Sequence, residues 1–214
     1  MRSIVKYLAI LLVFTAVMYA DTEGFDNIAT LPGSGWVMFN NSNPIGTTGW
    51  FQGNPGVFTS HSGAPDSYIA ANFNNAAFGG TIENWLAAPI GTVSNGDVFS
   101  FWTRSTGSGY ADSLWVFLNT SGGFGGALEL IINPNLDPFG YPSDWTLYTI
   151  TIAGLSGPTA GRLEFVYYLP DNLNYADYIG IDDYAHTPVP EPFTMTTVGI
   201  GLAGMALRRK LRKS

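Results

Sequence analysis

The chain contains no cysteine. No disulfide can therefore staple its fold, and no thiolate can ligate a metal or attack a substrate. Cations are scarce in its middle: between Asp21 and Thr187 only Arg104 and Arg162 stand against fifteen carboxylates, a formal charge of −13. Such a segment repels phosphate and offers no basic groove, which excludes nucleic acid as a partner. No long stretch sustains an i, i+3, i+4 apolar spacing, so helix should be scarce. The Gly-rich run 119–127 (NTSGGFGGA) lacks the Gly-Lys-Ser/Thr ending of a phosphate-cradling loop, and no helical pattern comes after it. It reads as a flexible connector. No Gly-x-Ser-x-Gly elbow occurs.

The two ends differ from the middle. Arg2 and Lys6 precede an apolar run from Leu8 to Met18, broken only by Thr15, and Ala20 precedes the first acidic residue. This is the order of a secretory signal peptide over 1–20. At the other end, Val189-Pro190-Glu191-Pro192 is followed by an apolar stretch, 193–207, and then by Arg208, Arg209, Lys210, Arg212 and Lys213. Fifteen helical residues cover about 22 Å, short of a hydrocarbon core of about 30 Å. Such a helix still inserts where the bilayer thins and its basic flank snorkels. By the positive-inside rule the tail stays cytoplasmic and the acidic domain lies outside.

Val-Pro-Glu-Pro, a short apolar helix and a terminal Arg/Lys cluster resemble a PEP-CTERM sorting signal over 188–214. The resemblance implies that Pro190, Glu191 and Pro192 mark the processing region and that an exosortase and the secretion machinery are partners. It also implies transient inner-membrane anchoring through the C-terminal helix, then release to the cell surface or outside, in bacteria that make extracellular polysaccharide.

Residues 21–187 read as many short strands. Val98–Thr103, Leu114–Leu118, Thr146–Ile152 and Arg162–Tyr168 are the clearest, and Leu114–Leu118 (LWVFL) is apolar throughout, as in a strand covered on both faces. Shorter candidates are Trp36–Asn40, Trp50–Gln52, Tyr68–Asn72, Trp85–Ala87, Leu128–Ile132 and Tyr178–Ile181, with turn clusters such as Asn54-Pro55-Gly56 and Ser94-Asn95-Gly96 between them. The expected fold is all-β, a jelly-roll-like two-sheet β-sandwich. Phrases including Gly49-Trp50-Phe51-Gln52-Gly53, Ser67–Phe73, Phe99–Arg104, Ala111-Asp112-Ser113-Leu114 and Tyr178–Asp183 together resemble the choice-of-anchor J domain, which is similar to cleaved-adhesin and MAM-type jelly rolls.

Several residues invite chemistry. Glu23 and Asp26 near the first strand and Asp182-Asp183 at the last would meet if those strands are neighbours, and such oxygen-rich sites suit a structural calcium. The alternative is four solvated strand ends. Asp112 either joins that site or caps a turn. Arg104 and Arg162 are expected to pair with nearby carboxylates. His61 lies between two serines, but a catalytic triad needs a third orienting group and an oxyanion hole, so His61 and His186 read as structural or surface residues. Of six tryptophans, most should be core, and Trp50 with Phe51, in a Gly-rich phrase, are the candidates for an exposed sugar-stacking pair. Three readings remain open. The first is a non-catalytic surface or matrix protein in an adhesion or exopolysaccharide context. The second is a carbohydrate-binding module, and the third a matrix-polymer hydrolase.

Overall fold

Alternation along the chain decides the layers. In Val98–Ser105 every second residue, Phe99, Phe101, Thr103 and Ser105, is buried, while the others are half-exposed. In Leu114–Asn119, Leu114, Val116 and Leu118 point inward. A period of two with one apolar face produces a sheet that must find a second sheet to cover it.

A computed structural model of the chain describes residues 20–125 and 141–189, and the backbone alone of 128–132. The signal segment 1–19, the motif Pro190-Glu191-Pro192, the apolar stretch 193–207 and the basic tail Arg208, Arg209, Lys210, Arg212 and Lys213 lie outside the described residues. Among those described, no helix is long and apolar enough to cross a membrane.

The strands are β1 (Asp21–Glu23), β2 (Val37–Asn40), β3 (Asn43–Ile45), β4 (Phe51–Gln52), β5 (Ile69–Asn72), β6 (Ala76–Ala87) and β7 (Gly91–Val93). They continue with β8 (Val98–Ser105), β9 (Leu114–Asn119), β10 (Leu128–Ile132), β11 (Thr146–Thr151), β12 (Thr159–Leu169) and β13 (Tyr178–Thr187). One sheet, sheet A, has the order β11-β8-β13-β5-β4, with β1 also on β13. The other, sheet B, runs β10-β9-β12-β6-β2, with β3 on β6 and β7 on β12. All pairings are antiparallel. The chain is thus an antiparallel two-sheet sandwich of the jelly-roll kind.

Between the sheets, Phe101 of β8 meets Phe165 of β12 edge-on at 4.9 Å. Ile69, Leu86, Leu114, Leu163, Ile179 and Ile181 are fully or almost fully buried around them. Burying each large apolar side chain contributes about 1.5–3 kcal/mol, and this core takes the place that disulfides fill elsewhere. Phe25 and Tyr184 both pack on Trp36, which holds the short first strand to the sandwich.

Three strands differ from expectation, β6 and β13 in extent and β9 in its covering. β6 begins at Ala76, well before the expected Trp85–Ala87, because β3 pairs with its first half and β12 with its second. β13 continues past Ile181 to Thr187 because β1 and β8 flank its second half. β9 is not covered on both faces: Trp115 and Phe117 are half-exposed on its outer side. The segment Ile28–Ser34 forms a 3-10 turn opened by Asn27, whose side chain accepts from the Ala29 amide.

Candidate functional site

The structure places Asp182 and Asp183 together in β13, with the segments that carry Glu23 and Asp26 alongside. β1 lies against β13 with Glu23 opposite Tyr184, and β13 carries a bulge between Asp182 and Ala185. Asp183 occupies the bulge in the left-handed region, with φ of 46°. The bulge aims both carboxylates at the loop around His61. Asp182 Oδ2 accepts the amides of His61 (2.8 Å) and Ser62 (3.2 Å), and its Oδ1 accepts the Asp183 amide (2.7 Å). Asp183 Oδ2 pairs with His61 Nδ1 at 2.7 Å, and its Oδ1 accepts the Ser62 hydroxyl at 2.7 Å. The His61 ring stacks on Trp102 at 3.7 Å. Asp26 Oδ1 borders Gly63, and Glu23 Oε1 accepts the Phe25 amide at 2.8 Å. Burial raises the Asp182 carboxyl to about 6, with the Asp183 charge adding to the rise against the pull of three backbone amides.

These oxygens suit calcium in kind but not in arrangement. Among the described residues no three Asp, Glu or His side chains converge as metal ligands would, and a cation would have to displace the N–H and O–H donors that hold Asp182 and Asp183.

Asp112 belongs to neither candidate role. It is buried beside the start of β9, where its Oδ1 accepts the Tyr167 hydroxyl (2.6 Å) and the Asp177 amide (3.0 Å) and its Oδ2 has no partner. Burial raises its carboxyl to about 7.

The stacking pair expected at Trp50 and Phe51 is corrected. Trp50 is 7% exposed and belongs to the core between the sheets. Phe51 is half-buried and meets Tyr178 edge-on at 5.7 Å, in a second cluster with Phe58, Tyr68 and Trp145 on the outer face of sheet A. Two glycines make room for that cluster: a Cβ on Gly53 would lie 2.2 Å from the Tyr68 ring, and one on Gly180 would lie 2.8 Å from it. The Tyr68 hydroxyl accepts the Asn54 amide at 2.9 Å and lies 3.1 Å from the Tyr178 hydroxyl. Arg104 sits 4.4 Å over the Phe58 ring and donates to the Ser143 carbonyl, and its distance of 4.0 Å to the exposed Asp144 makes a weak ion pair.

The aromatic face that sequence reasoning missed is on sheet B. Trp115, Val166, Trp85 and Phe39 stand in register across β9, β12, β6 and β2. The Trp85 ring is within 5° of the Phe39 plane at 5.8 Å and within 18° of the Phe117 plane at 6.0 Å. Tyr168 flanks Trp115 at 4.5 Å, and the Trp85 indole donates to Glu83 Oε1 at 2.9 Å. Only two tryptophans, Trp36 and Trp50, are buried in the core; the other four are half-exposed.

The run 119–125 is no loose connector. Glu164, fully buried on this face, accepts Arg162 Nε (2.9 Å), Asn119 Nδ2 (2.8 Å) and the Gly125 amide (2.9 Å). Arg162 also donates to the Gly123 carbonyl at 2.9 Å. This ion pair, expected from sequence for Arg162, fixes the loop so that Phe124 packs edge-on against Phe39 and Trp85. The Arg162 guanidinium lies 4.7 Å over the Phe124 ring.

The chain leaves β13 through Pro188 and Val189 into the segment whose order of motif, apolar stretch and basic tail resembles a sorting signal. Residues 188–210 match the PEP-CTERM protein-sorting motif. This match bears out the resemblance drawn from Pro190-Glu191-Pro192 and the apolar and basic segments behind them. The PEP-CTERM motif here trails a sandwich similar to the K1 cleaved adhesin domain of Lys-gingipain from Porphyromonas gingivalis W83, at 20% identity and a TM-score of 0.55, covering 80% of this chain and 99% of that one. The K2 cleaved adhesin domain of Lys-gingipain aligns at 18% identity and a TM-score of 0.53, covering 79% and 99%. At these identities the likeness shows the fold. A sequence search of curated proteins found no match.

Proposed function

We propose that this chain is an exported protein, held for a time at the inner membrane by residues 193–207 with its basic tail cytoplasmic. An exosortase then cuts it near Pro190-Glu191-Pro192, leaving it at the cell surface or in the extracellular matrix. Its sandwich acts there without catalysis, as an adhesive domain among exopolysaccharide. The observation that carries this reading is the PEP-CTERM match over 188–210, joined to the signal-peptide pattern over 1–20.

The non-catalytic part draws support from the best-placed histidine. Ser62 Oγ donates to Asp183, not to the His61 ring, so this serine and histidine do not form the nucleophile–base pair of a triad. His186 Nε2 lies 3.0 Å from Asp97 and its ring stacks on Phe99, a structural setting.

Fractionation of producing cells, with mass spectrometry of the mature termini, tests the reading. The expected product has lost both extremities and sits outside the cytoplasm. Replacing Arg208–Lys213 with neutral residues should leave precursor unprocessed at the membrane. Recovery of an uncut cytosolic chain would overturn the proposal.

A further inference from the structure

We propose that the outer face of sheet B is a binding platform for a neutral polysaccharide chain of pyranose rings, lying across the strands. This deepens the surface-protein reading and rests on it only for the compartment in which such chains are met.

Ring orientation sets the shape of the platform. Phe39 and Trp85 stack on adjacent strands, and Trp85 stacks with Phe117 across the intervening β12. Trp115 extends the row in register through Val166, its plane turned 66° from that of Phe117. From β9 to β2 the row crosses three strand spacings, roughly 14 Å at about 4.8 Å each. A ring-lined strip of that length, its exposed ring surfaces set at more than one angle, suits the C–H faces of several consecutive sugars. Protein partners instead favour aromatic anchors sunk into pockets.

Charge narrows the class further. The domain's two arginines are committed, Arg162 to buried Glu164 and the Gly123 carbonyl, Arg104 to Phe58 and backbone carbonyls. Neither offers a free guanidinium to a sulfate or uronate, and a domain of formal charge −13 repels polyanions. A neutral, hydroxyl-rich chain meets no such barrier, and the half-exposed Glu83 carboxylate at the rim of the row can accept its O–H groups.

The platform is also set in advance. Trp85 is pinned by its indole bond to Glu83, and Phe124 is placed by the loop that Arg162 and Glu164 fasten. Rings already ordered cost little entropy on binding.

Native affinity electrophoresis of the exported protein tests the proposal, with hydroxyethylcellulose, galactomannan and dextran as neutral probes and alginate as the polyanion. At least one neutral polymer should retard the protein and shift its tryptophan emission, and alginate should not. Trp115→Ala and Trp85→Ala should each weaken the retardation about tenfold, the size expected for losing one well-placed ring. Leu147→Ala, on the outer face of sheet A, should leave it unchanged. Mobility and emission of the unmutated protein unaffected by all three neutral polymers would overturn the proposal, as would equal retardation of both tryptophan variants. Export and processing of these variants should remain normal, so lost binding with intact sorting sinks this inference alone, whereas failed sorting of the unmutated chain sinks the reading beneath it.

Discussion

The outer faces of the two sheets hold similar parts: a group of aromatic rings, an arginine poised over a phenylalanine, and a loop folded back on top. On sheet A the Tyr68 and Tyr178 hydroxyls bond to each other and to the backbone of Asn54, and the rings lie under the loop that follows β4. On sheet B the Phe39, Trp85 and Phe117 rings stack along a row, Trp115 stands edge-on to Phe117, and the short loop covers one end. Composition alone does not separate the two. The first cluster has its polar atoms turned inward and acts as an extension of the core, whereas the second leaves ring surface to solvent.

The largest expected effect contrasts the two arginines. Arg162→Ala leaves Glu164 charged and buried without its cation, which should cost about 3–5 kcal/mol. Arg104→Ala removes a ring contact and bonds to carbonyls near the surface, a loss of about 1 kcal/mol. Chemical denaturation of both variants measures the difference, and equal losses would erase the distinction between the faces. The pair change Arg162→Met with Glu164→Leu should recover most of the stability while loosening the 119–125 loop.

A second, smaller effect compares the two buried acids. Asp112, beside β9, titrates near 7 and Asp182, in the β13 bulge, near 6, both raised chiefly by burial. The folded state therefore holds protons that the unfolded chain releases near its ordinary carboxyl pKa, about 3.9. Stability should be fullest below that value, fall as pH rises through 6 and 7, and level off above. Asp112→Asn should flatten the upper part of this slope in a series of unfolding measurements from pH 4 to 8. An unchanged slope would clear Asp112 of any part in it.

Calcium should produce the smallest shift. The corner at Asp182 and Asp183 is already filled with protein donors, so calcium is proposed only as a competitor for them. If it binds, the melting temperature in millimolar calcium should exceed that in chelator by about 2–4 °C per kcal/mol of binding free energy. Superimposable curves would eliminate it.

The strands were legible because alternation in segments such as Val98–Ser105 maps directly onto two faces. The adjacency of β1 to β13 was legible too, from the expectation that first and last strands adjoin, although among the described residues no three of the carboxylates expected to share a site there converge. The sheet B platform was not. In Leu114–Leu118 every residue is apolar, so alternation cannot show that Trp115 and Phe117 face outward. The row exists only once β9, β12, β6 and β2 are in register, and registers between strands far apart in sequence are not written in any one of them. Trp50 misled for a related reason: glycines around an aromatic suggest exposure, yet here Gly53 exists to admit the Tyr68 ring. The clasp between His61 and Asp183 joins residues 122 positions apart and left no local trace.

The tether toward the sorting motif continues from β13, and β13 is an interior strand, with β8 along one side and β5 then β1 along the other. A pull on that end loads two hydrogen-bond ladders at once, along the strand axis, so the bonds resist together instead of opening one after another. Hung from an edge strand, the same sandwich would peel. Loaded from this one, its hydrogen bonds would have to shear together.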